Sequence, residues 1–237
     1  RTVHGAKLPS HVRSEIWNPH DEIDPALLEG ASAVIHLAGA GIADSRWSNA
    51  RKRQLQDSRV SVTHNLVSSL GKVVARPKVL VSASAVGFYG DRGEAELNEQ
   101  VGAGDGFLPA LVQGWEAEAL AAEKLGIRVV TLRFGIILGD GGALARMSPL
   151  FKAGFGGRLG NGRQWWPWVH VDDAVRAIIF AIDTPSLAGP VNVVAPMPVR
   201  NRDFAVSLAR ALGRPALLPV PGWALRLSLG EMAQMLL

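Results

Sequence analysis

A chain of 237 residues, 48% hydrophobic and 19% charged, holds enough apolar material for one α/β domain or a domain with a small lobe, a composition that argues against a disordered chain. The absence of cysteine excludes disulfides, thiolate metal sites and cysteine nucleophiles. No apolar run reaches the ~20 residues of a membrane span, and a net charge of +4 suits an anionic cofactor while being weak evidence for nucleic acid. In chain order, residues 33–38 (AVIHLA) read as a short buried strand ending in Gly39-Ala40-Gly41. Residues 51–74 carry Leu55, Val62, Leu66, Leu70 and Val73 on one helical face. Residues 79–83 form the next strand, and residues 109–125 a helix with Leu111, Trp115, Ala119, Ala122 and Leu125 in one stripe, ending at Gly126. Residues 127–134 (IRVVTLRF) are a strand. Val171, Val175, Ile178, Ile179 and Ile182 recur at helical spacing behind Asp172 and Asp173, acids suited to a helix N-terminus. A strand at residues 191–194 follows, then a helix carrying Phe204, Leu208 and Leu212 with Asn201 as its expected N-cap. Strands alternating with helices predict a parallel sheet.

A dinucleotide-binding sheet normally opens with a strand, a glycine-rich turn and a helix whose N-terminus faces the pyrophosphate. The first thirty residues contain only Gly5 and Gly30. The spacing Gly87, Gly90, Gly93 follows a strand, but no apolar helix follows it, so it reads as a loop. No His-x-x-x-His and no acidic loop is present, so no metal site is expected, and no Gly-x-Ser-x-Gly elbow supports a hydrolase.

The most informative stretch is residues 79–90 (VLVSASAVGFYG). A buried strand ending in Ser-Ala-Ser delivers hydroxyls to the carboxyl edge of a sheet, where open α/β sheets bind ligands. This segment resembles the catalytic-serine strand of the extended short-chain dehydrogenase/reductases, the sugar-nucleotide epimerases and their relatives. His36-Leu37-Ala38-Gly39, Arg59 with Thr63, Leu132-Arg133-Phe134-Gly135 and Val171-Asp172-Asp173 resemble other stretches of that family. Ser45-Arg46-Trp47, Asp57-Ser58-Arg59, Trp115-Glu116, Gly160-Asn161-Gly162-Arg163-Gln164, Trp168-Val169-His170 and Gly230-Glu231-Met232 are similar to its atypical NAD(P)-dependent "epimerase family protein" branch.

The resemblance implies a Rossmann-like doubly wound parallel sheet with a small C-terminal lobe. Residues 1–150 would form the NAD(P)-binding domain, and residues 151–237 a substrate lobe interleaved with the last strands. It further implies that the chain is cut at both ends, with the phosphate loop upstream of Arg1. The missing first strand would sit between strands that the chain does contain. Leu37, Ala38, Gly39, Arg59, Ser82, Ala83, Arg133 and Gly135 fall at cofactor-binding positions, and Trp47, Arg158, Arg163 and Trp165 at candidate substrate-binding positions.

In this fold a serine hydroxyl binds a substrate oxygen, and a tyrosine beside a lysine transfers the proton. Ser84 matches the serine; its plain alternative is a strand-end turn hydroxyl. The tyrosine and lysine positions fall within residues 108–114, where Leu108, Ala110, Val112 and Gly114 cannot move protons. The only tyrosine is Tyr89, an acid/base candidate or a packing residue. Glu116, beside Trp115, is either an acid of raised pKa or one half of a structural salt bridge. His170 is a proton carrier or a helix cap. The loop of residues 154–168, with Arg158, Arg163 and three tryptophans, either closes over a planar or anionic ligand or forms a lobe interface.

The expected function is an NADP(H)-binding oxidoreductase or epimerase-like protein acting on a small substrate. NADP(H) is preferred to NAD(H) on the basic balance and on Arg1, placed to meet a 2′-phosphate. The alternative is a non-catalytic NADP(H) sensor that has lost its proton-transfer pair; a nucleic-acid binder would rest on charge alone. A cytoplasmic protein with no nucleic-acid or membrane partner, open to forming a homodimer, completes the expectation.

Overall fold

β-branched runs four to seven residues long, separated by amphipathic helices, give a parallel sheet covered on both faces. The computed structural model describes residues 9–216 and 218–237, so Arg1 and its expected phosphate contact lie outside the described residues. Strand β1 (Ala33–His36) leads to α1 (Asn49–Gln56), which passes through a π-helical turn (Asp57–Ser61) into α2 (Val62–Gly71). Strand β2 (Val79–Ala85) ends in a single 3-10 turn, Val86–Phe88. After a long irregular loop comes α3 (Phe107–Leu120), extended by a 3-10 turn, Ala121–Leu125. Gly126 stops it with φ of 79°, a left-handed conformation that glycine adopts without steric cost.

The chain continues through β3 (Arg128–Phe134), β4 (Ile136–Leu138), α4 (Gly142–Lys152), β5 (Trp165–Trp166) and β6 (Trp168–His170). It closes with α5 (Val171–Asp183), β7 (Gly189–Val193), β8 (Val199–Arg200), α6 (Asn201–Ala211) and α7 (Gly222–Leu229). Strands β1, β2, β3 and β7 pair in that order, all parallel. Strands β4 and β6 form a second parallel pair, and β5 with β8 an antiparallel one. Among the described residues no helix is long and apolar enough to cross a membrane.

Strand alternation sends successive side chains to opposite faces. Leu80 on β2 and Val129 on β3 meet Leu66 and Leu70 of α2 and Ala119 of α3 on one face. Val79, Val81, Val130 and Leu132 meet Ala174 and Ala181 of α5 on the other. Each fully buried leucine in such a layer stabilises the fold by roughly 1.5–3 kcal/mol. The result is the expected Rossmann-like doubly wound sheet.

Three details differ from the sequence reading. The four strands pair without interruption, so no gap for another strand lies between them; β1 is instead the outer strand of the described sheet. The helix expected over residues 51–74 is two helices joined by the π-turn. Asn201 is the first helical residue rather than the cap, and its side chain accepts from Leu159 N at 2.7 Å, tying the loop before β5 to α6.

Candidate functional site

Parallel pairing puts the carboxyl ends of the strands side by side. The register sets Ser84 of β2 opposite Arg133 of β3, and Arg133 opposite Asn192 of β7. Two residues earlier, His36, Ser82 and Thr131 form a second polar row. Ser84, Arg133 and the whole second row are buried and Asn192 is half-buried; buried polar atoms usually find partners within the protein, and here Thr131 Oγ1 is left without one.

Glu116 meets Ser84 and Arg133 from α3. Ser84 Oγ donates to Glu116 Oε1 at 2.5 Å. Arg133 Nε and Nη2 donate to Glu116 Oε1 and Oε2 at 2.8 and 2.7 Å, a bidentate pair. Arg133 Nη1 donates to Tyr89 Oη at 2.9 Å, and Tyr89 Oη donates to Asn192 Oδ1 at 2.7 Å. The Phe88 ring stacks on the guanidinium, 3.5 Å from ring centroid to Cζ. Asn192 in turn holds the loop before α3: its backbone N–H donates to Glu99 Oε1 at 2.8 Å and its Nδ2 to Leu97 O at 3.1 Å. Burial works against the Arg133 charge, but the hydrogen bonds to Glu116 and Tyr89 outweigh it and hold its pKa above the usual value.

The structure thus brings together Ser84, Tyr89, Glu116 and Arg133 in one hydrogen-bonded cluster. Tyr89 is only 2% exposed, with its hydroxyl engaged on both sides. Asn192 and Glu99 belong to the same cluster and were given no site role from the sequence. Their signal was faint: one amide within the apolar run PVNVV, and one acid in a loop of several.

The second row is closed by α2. His36 Nε2 lies 2.9 Å from Thr63 Oγ1, and Thr63 Oγ1 donates to Arg59 O at 2.6 Å inside the π-turn. Since the Thr63 proton is used there, His36 carries its proton on Nε2 and donates. Burial pushes the His36 pKa down to about 4, so the ring is neutral near pH 7. An unfolded histidine binds its proton near pH 6.5, whereas the folded one resists until about pH 4. Stability is therefore complete above pH 6.5 and falls as pH drops through this window, by about 3 kcal/mol in all. Denaturant melts at pH 7 and pH 4 are expected to show that excess loss in the native protein and not in His36→Gln. An equal pH dependence in the two would show that His36 is protonated without cost.

At the outer strand, Leu37 is 56% exposed, Gly39 is exposed and Ala38 half-buried. Arg59 spans this strand end. Its Nη2 donates to Ala40 O at 3.0 Å, its Cζ lies 5.2 Å from the Trp115 ring centroid, and a Cβ added at Gly39 would stand 3.3 Å from that Cζ. Burial and the nearby Arg51 charge lower the Arg59 pKa from its ordinary value. Single-turn π-bulges inside α-helices often mark functional sites, and Arg59 sits at the centre of this one. Ser82 is buried and Ala83 half-buried beside it on β2. At Gly135 a Cβ would come within 2.8 Å of Pro167 O, so glycine is required where β3 passes the start of β6.

The substrate candidates are dispersed. Trp47 is buried, donates from Nε1 to Ile42 O at 3.0 Å and packs edge-on against Phe107. Trp165 is 41% exposed beneath Arg200, whose Cζ lies 3.6 Å from the ring centroid. Arg158 and Arg163 are exposed on the loop between α4 and β5. Among the described residues no hydrogen bond or ion pair joins these four to the Ser84 cluster. His170 caps α5, its Nδ1 accepting from Asp172 N at 3.2 Å.

A family model described as the NAD dependent epimerase/dehydratase family matches residues 16–194. The chain belongs to that family. Its relatives include Epimerase family protein MT2273 of Mycobacterium tuberculosis, 42% identical over 229 residues that cover 96% of this chain and 75% of the relative. Epimerase family protein YfhF of Bacillus subtilis is 40% identical over 200 residues, covering 84% of this chain and 66% of YfhF. Among solved structures, human epimerase family protein SDR39U1 (isoform2) with NADPH matches with a TM-score of 0.82 and 33% identity, covering 88% of this chain and 72% of that one. The nucleoside-diphosphate sugar epimerase from Corynebacterium glutamicum matches with a TM-score of 0.71 and 34% identity, over 90% of this chain and 46% of that one. Within this NAD(P)-dependent family the chain has no tyrosine or lysine on α3, and Glu116 is the buried ionisable side chain that α3 offers at the sheet edge.

Proposed function

We propose that this chain is an NADP(H)-binding oxidoreductase or epimerase-like protein acting on a small substrate. The observation that carries the reading is the juxtaposition of buried Ser84 at the carboxyl end of β2 with the open Leu37–Gly39 end of β1 on the neighbouring strand. Side-chain-free Gly39 and exposed Leu37 fit a cofactor lying across the strand ends, with Arg59 behind them to meet an anionic group. Leu37, Ala38, Gly39, Arg59, Ser82 and Ala83 would hold that cofactor, and Arg133 would support the site from beneath. Bound there, a nicotinamide supplies reversible hydride transfer. The NADPH in the human SDR39U1 structure and the basic balance favour NADP(H) over NAD(H). Trp47, Arg158, Arg163 and Trp165 remain candidates for the substrate side, residues 151–237 for a substrate lobe, and the cytoplasm for its location.

Titration of the protein with NADPH and with NADH, followed by calorimetry, tests the reading. Saturable binding with NADPH at least about tenfold tighter is expected; an absence of saturable binding by either would reject it. A second reading, a non-catalytic NADP(H) sensor, draws on one observation: Tyr89 is buried with its hydroxyl engaged on both sides. Tight NADPH binding without turnover across a broad carbonyl and alcohol screen would favour the sensor.

A further inference from the structure

The polarity of the buried cluster limits what Ser84 can recognise. Its one proton is donated to Glu116 Oε1. Glu116 is fixed as an acceptor by two N–H groups of Arg133, and an ionised carboxylate has no proton to give back. What remains free at Ser84 is lone-pair capacity. The other hydroxyl of the cluster is committed in the same sense, since Tyr89 donates to Asn192 and accepts from Arg133. A carbonyl oxygen, which can only accept, finds no free hydroxyl proton at Ser84. An alcohol, which donates, finds an acceptor already oriented.

From this polarity we propose that the Ser84 site takes a secondary alcohol rather than a ketone, with Glu116 receiving the displaced proton through Ser84. This rests on the nicotinamide-dependent reading above. In the step the alcohol O–H proton passes to Ser84 Oγ while the proton of Ser84 passes to Glu116 Oε1. The electron pair of the carbinol C–H bond leaves as hydride to an oxidised nicotinamide. The substrate becomes a carbonyl, the nicotinamide is reduced, and Glu116 ends as a neutral carboxyl. Arg133 grips both Glu116 oxygens with two N–H groups and turns them toward Ser84 before the step; it touches no substrate and is a positioning residue.

The test compares shape-matched pairs by ligand-observed NMR on the native protein with NADP+ present, cyclohexanol against cyclohexanone first. A buried polar group left unpaired costs about as much as a hydrogen bond, so the alcohol is expected to bind about tenfold tighter. Ser84→Ala should bring the pair to within about twofold. The double variant Glu116→Leu with Arg133→Met keeps similar volume, frees the Ser84 proton and should reverse the order. A ketone that binds native protein as well as the alcohol would overturn the proposal, as would binding of neither probe or an alcohol preference that survives either variant. The native comparison stands even if a variant fails to fold. NADPH titrated into the same sample separates the two levels: cofactor binding with a ketone preference sinks this proposal alone, and no cofactor binding sinks the reading beneath it.

Discussion

Arg133→Met is expected to lower the unfolding free energy by about 3–5 kcal/mol, measured by denaturant melts, because it strands an ionised carboxylate in the interior. Glu116 would keep only the Ser84 hydrogen bond, while Tyr89 would lose the donor that orients its hydroxyl. The Phe88 ring would lose the guanidinium it stacks on, which the methionine thioether replaces in part. Adding Glu116→Leu to Arg133→Met should recover most of the loss, since apolar side chains of similar volume often replace a buried ion pair at little cost. The interaction energy from that double-mutant cycle is therefore expected to be large, above about 2 kcal/mol. A single variant as stable as the native protein would show that Glu116 does not depend on its pairing with Arg133, and the polarity argued for Ser84 would fall with it. If instead NADPH affinity drops while stability does not, Arg133 reaches the cofactor directly.

The strands and helices were legible because their apolar periods are clean. VLVSASA and IRVVTLRF read as buried strands, and the α5 stripe of Val171, Val175, Ile178 and Ile182 as a helix. The Ser84–Glu116–Arg133 cluster was half legible. An arginine inside an apolar strand must find a carboxylate, and the buried turn of α3 offers one beside Trp115. Naming Glu116 as its partner needed the register that sets Ser84 and Arg133 side by side, and register is a tertiary fact. Tyr89 was read as a proton donor or a packing residue from its short distance in sequence to Ser84; the 3-10 turn Val86–Phe88 folds it into the interior, which spacing alone does not convey. The π-turn at Arg59 was invisible, because Leu55, Val62, Leu66 and Leu70 keep ordinary helical spacing across it. Asn201 looked like a cap from residue type, whereas its real work is to hold Leu159 N from another loop.

Ser84→Ala is expected to reduce turnover of any alcohol the native protein oxidises by roughly 10²-fold or more, with NADPH affinity nearly unchanged. The substitution removes one acceptor for the substrate hydroxyl and the proposed path to Glu116. It leaves Glu116 paired with both Arg133 nitrogens, so the fold should lose only about 1 kcal/mol. A loss of activity without a loss of structure or cofactor is what separates a residue at the reacting atoms from a strand-end hydroxyl. Full activity in Ser84→Ala would demote the serine to a structural role and move the search for the proton carrier elsewhere along the strand ends. The comparison also bears on the sensor. A protein that only reads nicotinamide has no use for the polarity of the Ser84–Glu116 hydrogen bond, so the variant should leave its cofactor response intact. A protein that moves a proton from a substrate hydroxyl to a buried carboxylate should lose its chemistry and keep its cofactor.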